Sequence, residues 1–314
     1  MTPGKSYLST DEIRPLAERS NLMGAWLVAH CWGTIALAVG VFGLWPNVAT
    51  FLLAVVVIGS RQLGLAILMH EAAHNALFRN RKVNDFVGEW LCGRPILAEL
   101  GAYRHYHLTH HRFTQTDKDP DLVLSSKFPT SRASLKRKFT RDLTGQTGIK
   151  QLLGQIMMSV RLAGDDEAVK AAASDFAQSF KARDLWKSLP VFLAILGVMG
   201  LAGNWWWGLA FWLLPYLTWF QFVLRVRNIA EHGATDVSEN PLQNVRTTFA
   251  GPLARLLVAP YRVNYHLEHH MVMHVPCWNL PKMHDLLIAK GLGPDMRIAP
   301  SYWDALGEAG WRPA

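Results

Sequence analysis

Cysteine is nearly missing from this 314-residue chain. Cys31, Cys92 and Cys277 stand far apart without CxxC spacing, which excludes a disulfide framework and a cysteine-based zinc site. Charge is scarce too, since Asp, Glu, Lys and Arg make up 18% of the residues against 50% hydrophobic. That balance is apolar for a soluble enzyme of this length and points to a membrane protein. No recognisable nucleic-acid motif accompanies the net charge of +8, and the basic residues flank apolar runs rather than forming one module. Nucleic acid is therefore not an expected partner. No small-residue cleavage site follows the first apolar tract, so it reads as a retained span.

What the chain has is long apolar runs and histidine. Residues 22–45 and 48–69 each supply the roughly 20 residues that a helix needs to cross about 30 Å of hydrocarbon. They meet at Pro46-Asn47. A second pair runs at about 189–203 and 205–224, divided at Gly203-Asn204, and its first member is short. Trp45 and the Trp205-Trp206-Trp207 cluster stand at the edges of these runs, where an interfacial aromatic belt belongs. Neither turn carries Lys or Arg, whereas the segment between the pairs and both flanks are rich in them. The positive-inside rule then puts both termini and the middle segment in the cytoplasm. The expected fold is all-α and integral to the membrane, with four spans in two hairpins. Residues 70–188 and 225–314 are expected on the cytoplasmic side, and the whole of 1–314 is expected to make one domain.

Nine of the 13 histidines gather near the membrane exits. His70 and His74, in HEAAH, leave the second span one helical turn apart and share a face. His107, His110 and His111 form HxxHH within HYHLTHH, and His266, His269 and His270 repeat it in HLEHH, a spacing that is expected to aim the three rings of each box one way. His232 follows the fourth span, with Asn228 one turn before it. A single such pair is ordinarily a surface pair or a satisfied core histidine, but three boxes on one membrane side point to metal. Nine nitrogen donors with no cysteine suit a first-row transition metal such as iron. Zinc sites use three or four protein ligands, and calcium and magnesium prefer oxygen, so the number and type of donors imply two iron-like ions. His105 lies about 200° around the helix from His107 and points away from the set.

HEAAH, HYHLTHH and HLEHH, in that order and with a membrane hairpin between the last two, resemble the integral-membrane fatty acid desaturases and their hydroxylase and sphingolipid desaturase relatives. The resemblance covers about residues 40–290. It implies a four-helix stalk under a cytosolic cap that holds a diiron centre. By that resemblance His70, His74, His107, His110, His111, His266, His269 and His270 are iron ligands. His232 matches an additional ligand, and Asn228 matches the residue that reaches the second iron through water. The activity implied is O2-dependent introduction of a double bond into a fatty acyl or related lipid chain. Such a reaction needs a redox cofactor, because no acid or base side chain breaks an unactivated methylene C–H bond. A hydroxylase or ketolase acting on an apolar chain is the alternative, which the boxes do not separate from a desaturase. A histidine-rich transporter or sensor is a third reading, disfavoured because Arg61 is nearly the sole ionisable residue within the spans.

Four further features carry more than one reading. Asp117, Asp119 and Asp121 either accept hydrogen bonds from ligand histidines or form a solvated acidic turn at Pro120. Glu71 and Glu268 lie off the shared histidine faces, which suits pairing rather than ligation. Arg61 is either a polar anchor near a substrate tunnel or a bundle-facing arginine on a backbone carbonyl. The basic segment 127–141 rests on anionic headgroups, docks an acidic donor, or is simply solvated. The chain shows no cytochrome b5-like module, flavin fingerprint or plant-type ferredoxin cysteine pattern, so electrons must come from a separate ferredoxin- or cytochrome-type donor with its reductase. Residues 87–103 and 248–260 read as interfacial or cap-packing segments, and 163–188 as a helical insertion.

Overall fold

Ser20 and Asn47 start the two longest helices. The computed structural model describes residues 7–163, 182–238 and 240–311. Ser20 accepts a hydrogen bond from the Met23 amide (3.2 Å), and Asn47 accepts from the amides of Ala49 and Thr50 (2.9 and 3.1 Å). These contacts satisfy amide groups that a helix start leaves without partners. The helices run Asn21–Leu44 and Val48–Ala73 and pack along one another. Among the described residues four helical segments are long and apolar enough to cross a membrane: these two, Leu185–Ala202 and Leu209–His232. Leu22, Leu37, Leu52, Val198 and Leu201 face outward from them, as expected where the solvent is lipid.

The third and fourth segments differ in extent from the sequence expectation. The third helix begins at Ala182 and carries Pro190 inside it. The fourth begins at Leu209 rather than 205, with a π-helical turn Leu209–Leu213 and a short helix Leu214–Leu217. It then continues as Trp219–His232, well past 224. Arg225 and Arg227 obscure that continuation in the sequence. In the fold both are neutralised, Arg225 by the buried Asp142 and Arg227 by Glu231. The insertion expected at 163–188 lies largely outside the described residues.

The second helix positions the site. Its outer half is partly exposed, but from Ile58 to Ala73 nearly every side chain is buried, so His70 leaves the apolar layer already inside protein. The segment Gly88–Gly93 crosses it closely. A Cβ on Gly88 would lie 2.3 Å from that of Ala72, so only glycine permits this approach. A second apolar cluster joins the helix Thr10–Leu16 to Leu267, Met271, Met283 and Leu287. Among the described residues the sole strand pairing is a two-residue parallel bridge between Thr247–Thr248 and Ile298–Ala299. All-α describes the rest.

Candidate metal centre

Four helix ends bring the histidines together. His70 lies in the last turn of the second span and His74 caps it. His107, His110 and His111 lie on the helix Leu100–Phe113, His232 ends the fourth span, and the last box forms the short helix His266–Met271. The nine side chains form two groups, with the ligand atoms in each lying within 4.8 Å of one another. One group holds His70, His74, His107, His111 and His269; the other holds His110, His232, His266 and His270. Among the described residues no cysteine, aspartate or glutamate belongs to either.

The division follows helix geometry. Residues four apart sit about 40° past one full turn and residues three apart about 60° short of it, so the two lie on opposite flanks of the first. The pairs 70/74, 107/111 and 266/270 therefore stay in one group each, while His110 and His269 cross to the other. Each HxxHH box thus serves both groups. The sequence expectation that three rings of a box point one way is corrected here: two do, and the third turns aside.

The Nε2 atoms converge. Those of His107 and His111 are 2.9 Å apart, His111 and His269 3.1 Å, His232 and His266 2.8 Å, and His266 and His270 3.1 Å. Both ring nitrogens of His70 and His74, together with Nε2 of His110, are buried without a hydrogen-bond partner. Buried polar atoms are ordinarily satisfied, and a metal ion would satisfy one nitrogen on each of these rings. Burial holds His107, His111, His266, His269 and His270 well below the ordinary histidine range and brings His74 to about 3. Each is then a neutral nitrogen donor at neutral pH, the form that binds a transition metal. The donor set fits two first-row ions.

The three aspartates separate. Asp119 is buried, with Oδ1 at 2.7 Å from His110 Nδ1 and Oδ2 accepting from the Gln115 amide at 2.8 Å. Burial disfavours charge on His110, but this hydrogen bond and the nearby Asp121 outweigh it and hold His110 above its ordinary value. Asp121 accepts from the Tyr106 hydroxyl and stands 3.7 Å from His110. Asp117 is exposed and belongs to the solvated turn. Asn228 is half-buried one turn before His232, where its Oδ1 lies 3.3 Å from Arg227 Nη1.

Glu71 and Glu268 are fully enclosed and stay outside both groups. Glu71 accepts from the Cys277 amide at 2.9 Å, and Glu268 takes His284 Nδ1 at 2.6 Å as well as the Thr247 hydroxyl. They tie the first and third boxes to the surrounding fold. Thr114 Oγ1 lies 3.2 Å from His270 Nδ1, a contact with no spacing signal in the sequence. Glu231, beside His232, had one: a carboxylate adjoining a candidate ligand. Arg61 is buried, donates to the Leu256 carbonyl and lies 5.8 Å from the Tyr261 ring, so it is the bundle-facing arginine of the two readings.

A cavity of ≈ 560 Å³ opens onto His107, His110, His232 and His266. Leu63, Ile67, Leu97, Phe220 and Leu224 line it. Along the fourth segment it extends from His232 to Tyr216, roughly 24 Å at the helical rise.

A family model described as fatty acid desaturase matches residues 43–298. The chain belongs to the fatty acid desaturase family. It is 27% identical over 282 residues to a dihydrorhizobitoxine desaturase of Bradyrhizobium elkanii, covering 86% of this chain and 76% of that one. It is 26% identical over 293 residues to a beta-carotene ketolase of Paracoccus sp. (strain PC1), covering 90% and 97%. Identity to an sn-1 acyl-lipid omega-3 desaturase (ferredoxin) of Nostoc sp. (strain 36) is 23% over 239 residues, covering 71% and 63%. With four apolar helices and this family, the chain is a membrane protein with an oxidoreductase role of the desaturase or ketolase kind.

Proposed function

We propose that this protein is a membrane-bound diiron desaturase that uses O2 and an external reductant to place a double bond in a fatty acyl or related lipid chain. The observation that carries the reading is the division of nine histidines into groups of five and four beside one elongated, mainly apolar cavity. Two iron ions bound there would supply the oxidising power for unactivated C–H bonds that side chains lack. In this reading the nine histidines would hold them, and Asn228 would reach the second through water. The chain's own part is geometric: Leu63, Ile67, Phe220 and Leu224 line a path for methylenes past His107 and His266. Asp119 fixes the His110 ring while the surrounding burial excludes water.

The four spans form two hairpins beneath a cytoplasmic cap, with both termini and the active site on that side. Electrons come from a separate protein of ferredoxin or cytochrome type with its reductase. A relative named for ferredoxin supports the former. The helix Arg132–Leu143 suits docking, since it buries Leu135 and Phe139 and turns Lys136, Arg137 and Arg141 outward.

A ketolase or hydroxylase is the second reading, supported by the relative of Paracoccus whose length the match nearly spans. Mass spectrometry of whole-cell lipids with and without expression of the chain tests the choice. New species lighter by two hydrogens support desaturation, oxygenated species support the second reading, and an unchanged lipid profile contradicts both.

A further inference from the structure

The cavity wall carries two guanidinium groups, Arg94 and Arg227, and both are already engaged. Arg94 is buried, pairs with Glu89, donates to Ser188 Oγ at 3.0 Å and has Glu99 Oε2 at 3.8 Å. Arg227 holds Glu231 Oε1 at 2.6 Å, with both side chains almost wholly enclosed. Among the described residues no lysine and no other arginine lines the cavity, whereas Glu99 and Asp121 do. A carboxylate or phosphate entering would lose its water and meet cations that already face carboxylates. Such burial is unfavourable for an unpaired anion.

Another wall residue asks for the opposite chemistry. Gln155, on the helix Gln146–Ala163, lines the cavity with its Oε1 buried and without a donor. Gln151 lines the cavity one turn earlier on the same helix. That helix packs on the third span, whose Leu185 and Ser188 also line the wall. An orphaned amide oxygen is satisfied by an O–H or N–H group, which neither an ionised acid nor a plain ester offers.

We propose that the cavity selects lipids whose polar end is uncharged and carries a hydrogen-bond donor, which Gln155 Oε1 accepts. The proposal rests on the reading of this cavity as the substrate site. Sites built to hydrogen-bond a substrate hydroxyl or N–H discriminate strongly against analogues that lack it.

The test is equilibrium binding of four ligands with one saturated alkyl chain, ending in a primary alcohol, a primary amide, a methyl ester or an ionised carboxylate. The full-length purified protein is used in nanodiscs, without reductant, so no turnover is needed. Alcohol and amide should bind about tenfold more tightly than ester and carboxylate. In Gln155→Leu the alcohol should lose its advantage over the ester. In Gln155→Glu, which keeps an acceptor, the alcohol should remain favoured and the carboxylate should weaken further. Carboxylate binding as tight as alcohol in the unaltered protein overturns the proposal, as does an alcohol preference that survives Gln155→Leu. If the leucine variant does not fold, the four-ligand ranking and Gln155→Glu still decide. The expected ranking without any oxidised lipid in cells contradicts the proposed function and leaves this inference standing.

Discussion

His110 Nδ1 and Asp119 Oδ1 lie 2.7 Å apart, both side chains buried. The contact leaves His110 Nε2 facing the second histidine group, away from its neighbours His107 and His111 in the first. A carboxylate behind a ligand imidazole fixes its ring and raises its basicity, and losing one costs about 10–100-fold in metal affinity or activity. Asp119→Asn should therefore lower iron affinity by about that factor, read by competition with a chelator. Asp117→Ala, on the exposed turn, should leave it unchanged.

The two groups also predict separable sites. His74→Ala should weaken the group of five and His270→Ala the group of four, each reducing bound iron from two ions toward one rather than to none. Elemental analysis of each purified variant checks this. Loss of all iron from both variants would mean that the groups bind as one unit.

His105 is exposed and belongs to neither group. His105→Ala should change stability by no more than about 0.5 kcal/mol and retain activity, whereas His107→Ala should abolish it. Thermal denaturation and lipid product analysis on the same preparations distinguish the two.

Acid should destabilise the metal-free protein. An unfolded histidine titrates near 6.5, but burial brings His74 to about 3. Between those values the unfolded chain takes up a proton that the folded chain refuses. Stability is then fully present above about pH 6.5 and falls as pH drops through the window, by up to about 1.4 kcal/mol per pH unit for each such histidine. His107, His111, His266, His269 and His270 shift in the same direction. His110 is raised, so its contribution has the opposite sign, present below 6.5 and lost as pH rises through its folded value. Six groups outweigh one. The denaturation midpoint of chelator-treated protein should fall steadily from neutral to mildly acidic pH, and a flat profile would contradict the burial.

Arg61→Met should remove the donor on the Leu256 carbonyl and leave that oxygen without this partner. A loss of about 1–3 kcal/mol in stability, with iron content unchanged, is the expected outcome of denaturation and metal analysis.

Much of the site is legible in the sequence because i,i+4 spacing on a helix dictates adjacency before any packing is known. His70 and His74, His107 and His111, and His266 and His270 pair for that reason, whereas His232 joins them through packing. The division into two groups is not legible, since it depends on where four helix ends meet. Asp119 was indistinguishable from Asp117 and Asp121 because a turn has no fixed period to say which side chain faces inward. The helix past residue 224 is hidden in the sequence because charge at Arg225 and Arg227 reads as solvent, while Asp142 and Glu231 neutralise it in the fold. Conversely, Arg61 announced itself: one charge inside an apolar run needs a partner, and the Leu256 carbonyl provides it.

Metal analysis of the full-length protein, purified from cells supplied with iron and zinc, tests the central claim most directly. The account predicts two iron ions per chain, one for each histidine group. Zinc in place of iron, or a single ion retained unchanged in both His74→Ala and His270→Ala, would contradict it.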